Sequence, residues 1–134
     1  TAYLPDTAVI TKATLKIKRQ GLVGVDPFSI LGGLRVDIQK PFFGTTPGLV
    51  SGDFQALAGR SAVAIFNATP VSSWYTAALN AVGRTFINRV GTTQFRLYFA
   101  LDDNNNSSAD YMQFFSGDYI ASERPTLVVE YYIP

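Results

Sequence analysis

The sequence predicts an all-β fold, an antiparallel β-sandwich or jelly roll with one or two short helices in its connections. Three observations carry that expectation. Short stretches alternate apolar and polar residues with period two, as in TTQFRLYFA, where Phe95, Leu97 and Phe99 alternate with Gln94, Arg96 and Tyr98. Polar segments bearing Gly and Pro separate these stretches, with no internal repeat and no strand–helix–strand rhythm. Ten Phe, seven Tyr and one Trp, together with plentiful Val and Thr, favour strands over helices.

Taken in order, TAYLPD (1–6) is a short lead-in. AVITKATLKIK (8–18) turns Ala13, Leu15 and Ile17 to one face and Thr14, Lys16 and Lys18 to the other, a strand. GLVGVDPFSILGG (21–33) is punctuated by Gly and Pro and reads as a connection. LRVDIQK (34–40) is a second strand, with Leu34, Val36 and Ile38 inward, ended by Pro41. One or two helical turns are expected near Ser51–Ala58, capped by Ser51 or Asp53. AVAIF (62–66) and VSSWYTAAL (71–79) read as strands, with Trp74 at least partly buried. Asn80 is placed to cap a short helix in which Val82, Phe86 and Val90 recur, stopped by Gly91. After TTQFRLYFA comes the polar run LDDNNNSSAD. YMQFF is a strand, SGD a turn, and RPTLVVEYYIP the last strand, with Leu127, Val129 and Tyr131 on one face.

At 134 residues, with 47% apolar and 16% charged residues, residues 1–134 form one globular domain with a core large enough to need no staples. A formal net charge of +1 gives no global field for nucleic acid or a membrane surface. No apolar run approaches the length of a membrane span. Cysteine is absent, which excludes disulfides and thiolate metal sites. Histidine is absent too, which removes Ser–His and Cys–His nucleophile pairs and His-ligated metals. The chain starts at Thr1 with no signal-like segment, and the expectation is a processed or excised piece of a longer protein.

Several segments together are similar to one family. LPDTAVITKATLKIKRQG, FFGTT, SGDFQA, the Trp74-Tyr75, Leu79-Asn80, Gly83-Arg84 and Ile87-Asn88 pairs, TQFRLYF, DDNNNSSADYMQFFSGD and RPTLVVEYYIP resemble the secreted β-sandwich modules called DNRLRE or disaggregatase-related domains. Some of these are classed as carbohydrate-binding modules. The resemblance covers nearly the whole chain and is most specific at its C-terminal end. It implies a jelly-roll-like, non-catalytic module of large secreted or surface proteins in bacteria and archaea. Members carry further β-structure before the segment resembling LPDTAVITKATL, so the sandwich is expected to lack its first strand or strands. A missing strand leaves unpaired backbone groups at a sheet edge and an uncovered core groove, to be filled by strand addition from another copy or a neighbouring part of the same protein.

Candidate sites follow from residue type. Asp102, Asp103, Asn104, Asn105, Asn106 and Asp110 put hard oxygen donors into one loop, with Asp118 one strand later. Ca²⁺ takes six to eight such oxygens, yet the spacing is not that of an EF-hand. The same composition suits a solvated turn whose Asn and Asp side chains bond their own backbone. Asp103 or Asp110 is also available to pair with Arg96 or Arg124. Lys12, Lys16 and Lys18 share a strand face, and with Arg35 or Lys40 on a neighbouring strand would form a basic patch for an acidic polysaccharide; an ordinary solvent face is the alternative. Trp74, Tyr75, Tyr98, Tyr111 and Tyr119 are candidate platforms for sugar rings, Trp74 and Tyr98 foremost. Asn67, Asn105 and Asn106 begin N-glycosylation patterns, Asn67 weakened by Pro70. Asp37, Asp53, Glu123 and Glu130 are the carboxylates available for histidine-free glycoside hydrolysis, but nothing pairs them. The expectation is a non-catalytic extracellular module, a building block of a surface or fibrous assembly. It requires no cofactor beyond a structural Ca²⁺ if the loop binds one. The alternative is a carbohydrate-binding module.

Overall fold

The longest strand carries the first sheet. The computed structural model describes Thr1 and residues 3–134, and in it β1 (Val9–Val23) pairs antiparallel with β4 (Trp74–Ala78), β6 (Tyr111–Phe114) and β7 (Thr126–Tyr132). Backbone groups of successive strand residues point to opposite edges. The Ala13 carbonyl accepts from the Leu79 N–H and the Arg19 N–H donates to the Ser73 carbonyl, whereas the Lys18 carbonyl accepts from the Phe115 N–H. So β4 lies on one side of β1, and β6 and β7 lie end to end along the other. The second sheet has the order β3–β2–β5, with β2 (Leu34–Gln39) between β3 (Arg60–Ile65) and β5 (Gln94–Phe99). The fold is an antiparallel all-β sandwich, with helices only at α1 (Pro27–Ile30), α2 (Ala81–Phe86) and a 3-10 turn at Ser51–Phe54.

The apolar faces of the two sheets meet in a single core. Ala13, Leu15 and Ile17 of β1, Val36 and Ile38 of β2, Val63 of β3, and Tyr75 and Ala77 of β4 are all buried. The sheets are also tied together where β3 and β4 lie. The Asn80 N–H donates to the Val63 carbonyl and the Asn67 N–H to the Thr76 carbonyl. Gly83 of α2 packs so tightly there that a Cβ would stand 2.8 Å from that of Val63.

Four local expectations give way to the structure. β1 runs on to Val23 instead of ending at Lys18, because β6 supplies a ladder partner beyond a bulge between Arg19 and Gly21. The connection after it holds α1, capped by Asp26, whose Oδ1 accepts the Phe28 N–H at 2.9 Å with Pro27 in the first turn. Of the one or two helical turns expected near 51–58, one forms, as a 3-10 turn at Ser51–Phe54 whose N-cap position is Val50 and not Ser51 or Asp53. Carbonyls of Asp53, Phe54 and Ala56, which a longer helix would need as acceptors, are taken by the Arg96 guanidinium at 3.0, 3.1 and 2.7 Å. Asn80 caps α2 as expected, accepting the Gly83 N–H. The helix nevertheless stops at Phe86, because Ile87 turns to extended backbone and enters the core, while Val82 and Val90 face solvent.

Candidate functional site

The sandwich is closed on one side and open on the other. β3 and β4 share the closed side, so β5 and the β6–β7 run bound the opposite one. Among the described residues β5 pairs with β2 alone, and β7 with β1 alone. The Ala100 N–H donates to the Gly33 carbonyl, so Gln94, Arg96 and Tyr98 turn their backbone groups toward β2. Phe95, Leu97 and Phe99 therefore present theirs to the free edge. By the same alternation Leu127, Val129 and Tyr131 present theirs at the free edge of β7. The core residues along this side are incompletely covered. Phe95, Leu97, Phe99, Met112, Phe114 and Leu127 pack against the core but stay only half-buried. Their counterparts on β2, β3 and β4 are sealed. Neither β5 nor β7 holds a Pro or an inward-pointing charge, but the β1–β7 ladder has a bulge between Ile10 and Lys12, one of the devices that ordinarily defend an edge. The lead-in also covers part of this side, with Leu4 packed against the core and Thr1, Tyr3 and Leu4 lining a recess with Leu127 and Val129.

A buried ion pair shapes the β5 edge. Arg96 and Asp37 face each other across β5 and β2 on the outer face of the second sheet, Nη2 to Oδ2 at 2.6 Å. Asp37 also accepts the Ala62 N–H. Arg96 spends its other amino group on the three carbonyls of the 53–56 turn. Gln94 adds two bonds to the same segment, accepting from the Phe43 N–H and donating to the Pro47 carbonyl. The 43–56 segment is thereby fastened over β5 and leaves a recess of about 390 Å³ at the free edge, walled by Phe43, Leu49, Phe54, Phe95 and Leu97. Leu49 and Phe54 beside it remain 79% and 64% exposed.

No family model, curated protein or solved structure matches this chain.

The structure distributes the remaining candidates. The acidic loop is tied up internally: the Asp103, Asn104 and Asn106 side-chain oxygens accept the Asn105, Asn106 and Ser108 N–H groups. Asp110 accepts the Val25 N–H on Oδ1, and the Asn104 and Asn106 amides on Oδ2. These bonds hold its carboxyl below the ordinary aspartate value, the Val25 N–H first. Gly24, at φ +71°, lets the chain pass so close that a Cβ would strike the Asp110 carboxylate. Among the described residues no three acidic side chains gather as a metal cluster would require. Asp102 is exposed at the start of the loop.

Lys12, Lys16 and Lys18 do share the outer face of the first sheet. Lys12 pairs with Glu130 at 3.0 Å and Lys18 with Glu123 at 2.6 Å, and Lys16 and Lys18 lie over the Trp74 ring. Arg35 and Tyr98 stand opposite each other on the other sheet, so the expected patch does not widen through Arg35. Lys40 sits beyond the end of β2, against Phe86. Tyr75 is no platform: its ring is wholly buried, stacked on Phe28 at 4.9 Å. Tyr98 is half-buried beside Asp37, and burial raises its hydroxyl above the ordinary tyrosine value. Asn67, Asn105 and Asn106 are all exposed on loops. Of the four candidate carboxylates, Asp37, Glu123 and Glu130 are held by cations, and Asp53 accepts the Val50 N–H. Among the described residues no helix is long and apolar enough to cross a membrane.

What the sequence missed is the exposure of the β5 residues. Phe95, Leu97 and Phe99 read as core because alternation reports which face a residue takes. It does not report whether the strand has a neighbour.

Proposed function

We propose that this domain is a non-catalytic building block of an extracellular surface or fibrous assembly, joined to neighbouring copies by strand addition along its open side. The observation that carries this reading is the asymmetry of the core. Apolar positions on the β3–β4 side are sealed by cross-sheet hydrogen bonds and α2, while those between β5 and β7 are only partly covered, by the 43–56 segment on one side and by Leu4 on the other, beside two edges that pair with no further strand among the described residues. A strand from another copy would pair with the Phe95, Leu97 and Phe99 backbone groups and turn alternate side chains into the gap. Completing the burial of each partly covered apolar side chain contributes at most about 1 kcal/mol, and the backbone hydrogen bonds of an added strand contribute the rest of the affinity. Light scattering and electron microscopy of the native protein test the reading. Filaments or large oligomers are expected, and a monodisperse monomer at high concentration would count against it.

A further inference from the structure

The charges of this molecule are sorted between its two ends. β2 and β5 are antiparallel, so Gln39 and Gln94 mark one end of the sandwich, and Leu34 and Phe99 the other. At the Gln39 end the Lys40 ammonium and the Arg60 guanidinium lie 4.6 and 5.0 Å from the centre of the Phe86 ring. Arg84 and Arg89 line one recess there with Val9, and Arg89 lines the adjoining one with Lys40 and Asp6. The three arginines are aimed by neutral acceptors: Arg84 donates to the Leu79 carbonyl, Arg89 to that of Ala8 and Arg60 to that of Gly59. None of these four cations lies within ion-pair distance of a carboxylate among the described residues, and Asp6 is the one acid that lines these recesses with them, so this end keeps a net positive charge. The opposite end is rich in carboxylates, with Arg35 the cation nearest to it on β2. Leu101 is bonded back to Leu31, and Asp102 and Asp103 follow it directly. Asp110 is fastened to Val25 there, beside the α1 cap Asp26.

The segregation is written into the chain. No Asp or Glu occurs between Asp53 and Asp102, and no Lys or Arg occurs in 20–34 or 97–123, the segments that build the acidic end. It becomes visible only once strand directions assign each segment to an end.

We propose that copies of this chain stack end to end, the Lys40–Arg60–Arg84–Arg89 end of one against the Asp102–Asp103–Asp110 end of the next; the inference rests on the reading of the domain as an assembly unit. A second copy is the occupant that the charges specify, because each end carries the complement of the other while the whole chain is nearly neutral. A polyanion would engage one end and be repelled by the other. The contact joins two different surfaces head to tail, so it propagates as a filament wherever its rotation does not close a ring. Exposed ion pairs are individually weak. The ends therefore set direction and register, and the open side supplies most of the affinity.

The test is a charge exchange followed by light scattering and electron microscopy. Salt is set at about 0.01 M and about 1 M, where the screening length falls from about 30 Å to about 3 Å. Arg84→Glu with Arg89→Glu is one variant, and Asp102→Lys with Asp103→Lys the other. Each alone should lower the assembled fraction at low salt by about tenfold or more, and high salt should do the same to the unaltered protein. Mixing the two variants should restore assembly as an alternating copolymer. Lys40→Glu with Arg60→Glu repeats the first arm without breaking the Leu79 and Ala8 bonds. Assembly that ignores the charge reversals, or a mixture that fails to recover, overturns the end contact. Leu97→Lys, with both ends intact, separates the two readings. If it alone abolishes assembly, strand addition stands and end stacking falls; if only the charge reversals abolish it, the reverse holds. An unaltered protein that never assembles overturns both.

Discussion

At the scale of single residues, the Asp37–Arg96 pair has the clearest energetic consequence. Asp37 is 3% exposed, and removing Arg96 would leave its carboxylate desolvated and the 53–56 carbonyls without a donor. Arg96→Leu should therefore cost about 3–5 kcal/mol, the usual penalty for orphaning a buried charge, read as a lower urea midpoint. Replacing both partners, Asp37→Leu with Arg96→Leu, should cost less than the single change, because no charge is left unpaired. Asp110 makes a prediction about acid. Its carboxyl is held below the ordinary value of 3.8 by the Val25 N–H and the Asn106 and Asn104 amides. Its contribution is present in full above 3.8 and is lost as pH falls through the lower folded value. Unfolding midpoints measured downward from pH 5 should fall less steeply in Asp110→Asn. An unaltered acid slope would show that the loop is not fastened through this carboxylate.

At the scale of elements, the hairpin at Val71–Trp74 shows what sequence pattern hides. Val71 and Trp74 exchange both backbone hydrogen bonds around Ser72 and Ser73, at φ 49° and 68°, the two left-handed residues of a type I′ turn. That turn ordinarily advertises itself as Asn-Gly. Two serines give no such signal and hold a conformation that costs about 1–2 kcal/mol per L-residue. Ser73→Gly should raise the melting temperature by a few degrees, since relief of strain outweighs the added chain entropy of about 0.4–1 kcal/mol; a lower melting temperature would contradict the turn assignment. Strands 8–18, 34–40 and 94–99 were legible because period-two alternation is local, and 62–66 was legible as a short apolar run between polar segments. The extension of β1 to Val23 was not, because its partner lies ninety residues away. The oxygen-rich loop was ambiguous in principle: Asn and Asp supply the same atoms to a calcium ion and to their own backbone. Chelation with EDTA should leave the melting curve unchanged if the internal bonds of Asp103 to Ser108 are the whole of its structure. A drop would show an ion in the loop.

At the scale of the whole molecule, the two sides of the sandwich should differ in how readily they open. Backbone groups at an unpaired edge exchange their amide hydrogens without any unfolding, whereas those in a sealed ladder wait for larger openings. In dilute solution the Phe95, Leu97 and Phe99 amides on β5, and Leu127 and Val129 on β7, should exchange rapidly. The Val36, Ile38 and Asn80 amides, bonded within the second sheet or across to β3, should be protected by orders of magnitude. Assembly should then slow one of the two edge sets selectively. Protection of the β5 set would identify β5 as the strand that receives the neighbour, with Leu49 and Phe54 burying the incoming side chains. Protection of the β7 set would move the added strand to the first sheet. Edge amides that stay fast in isolated filaments would mean that copies meet without strand addition, leaving the charged ends as the contact that joins them.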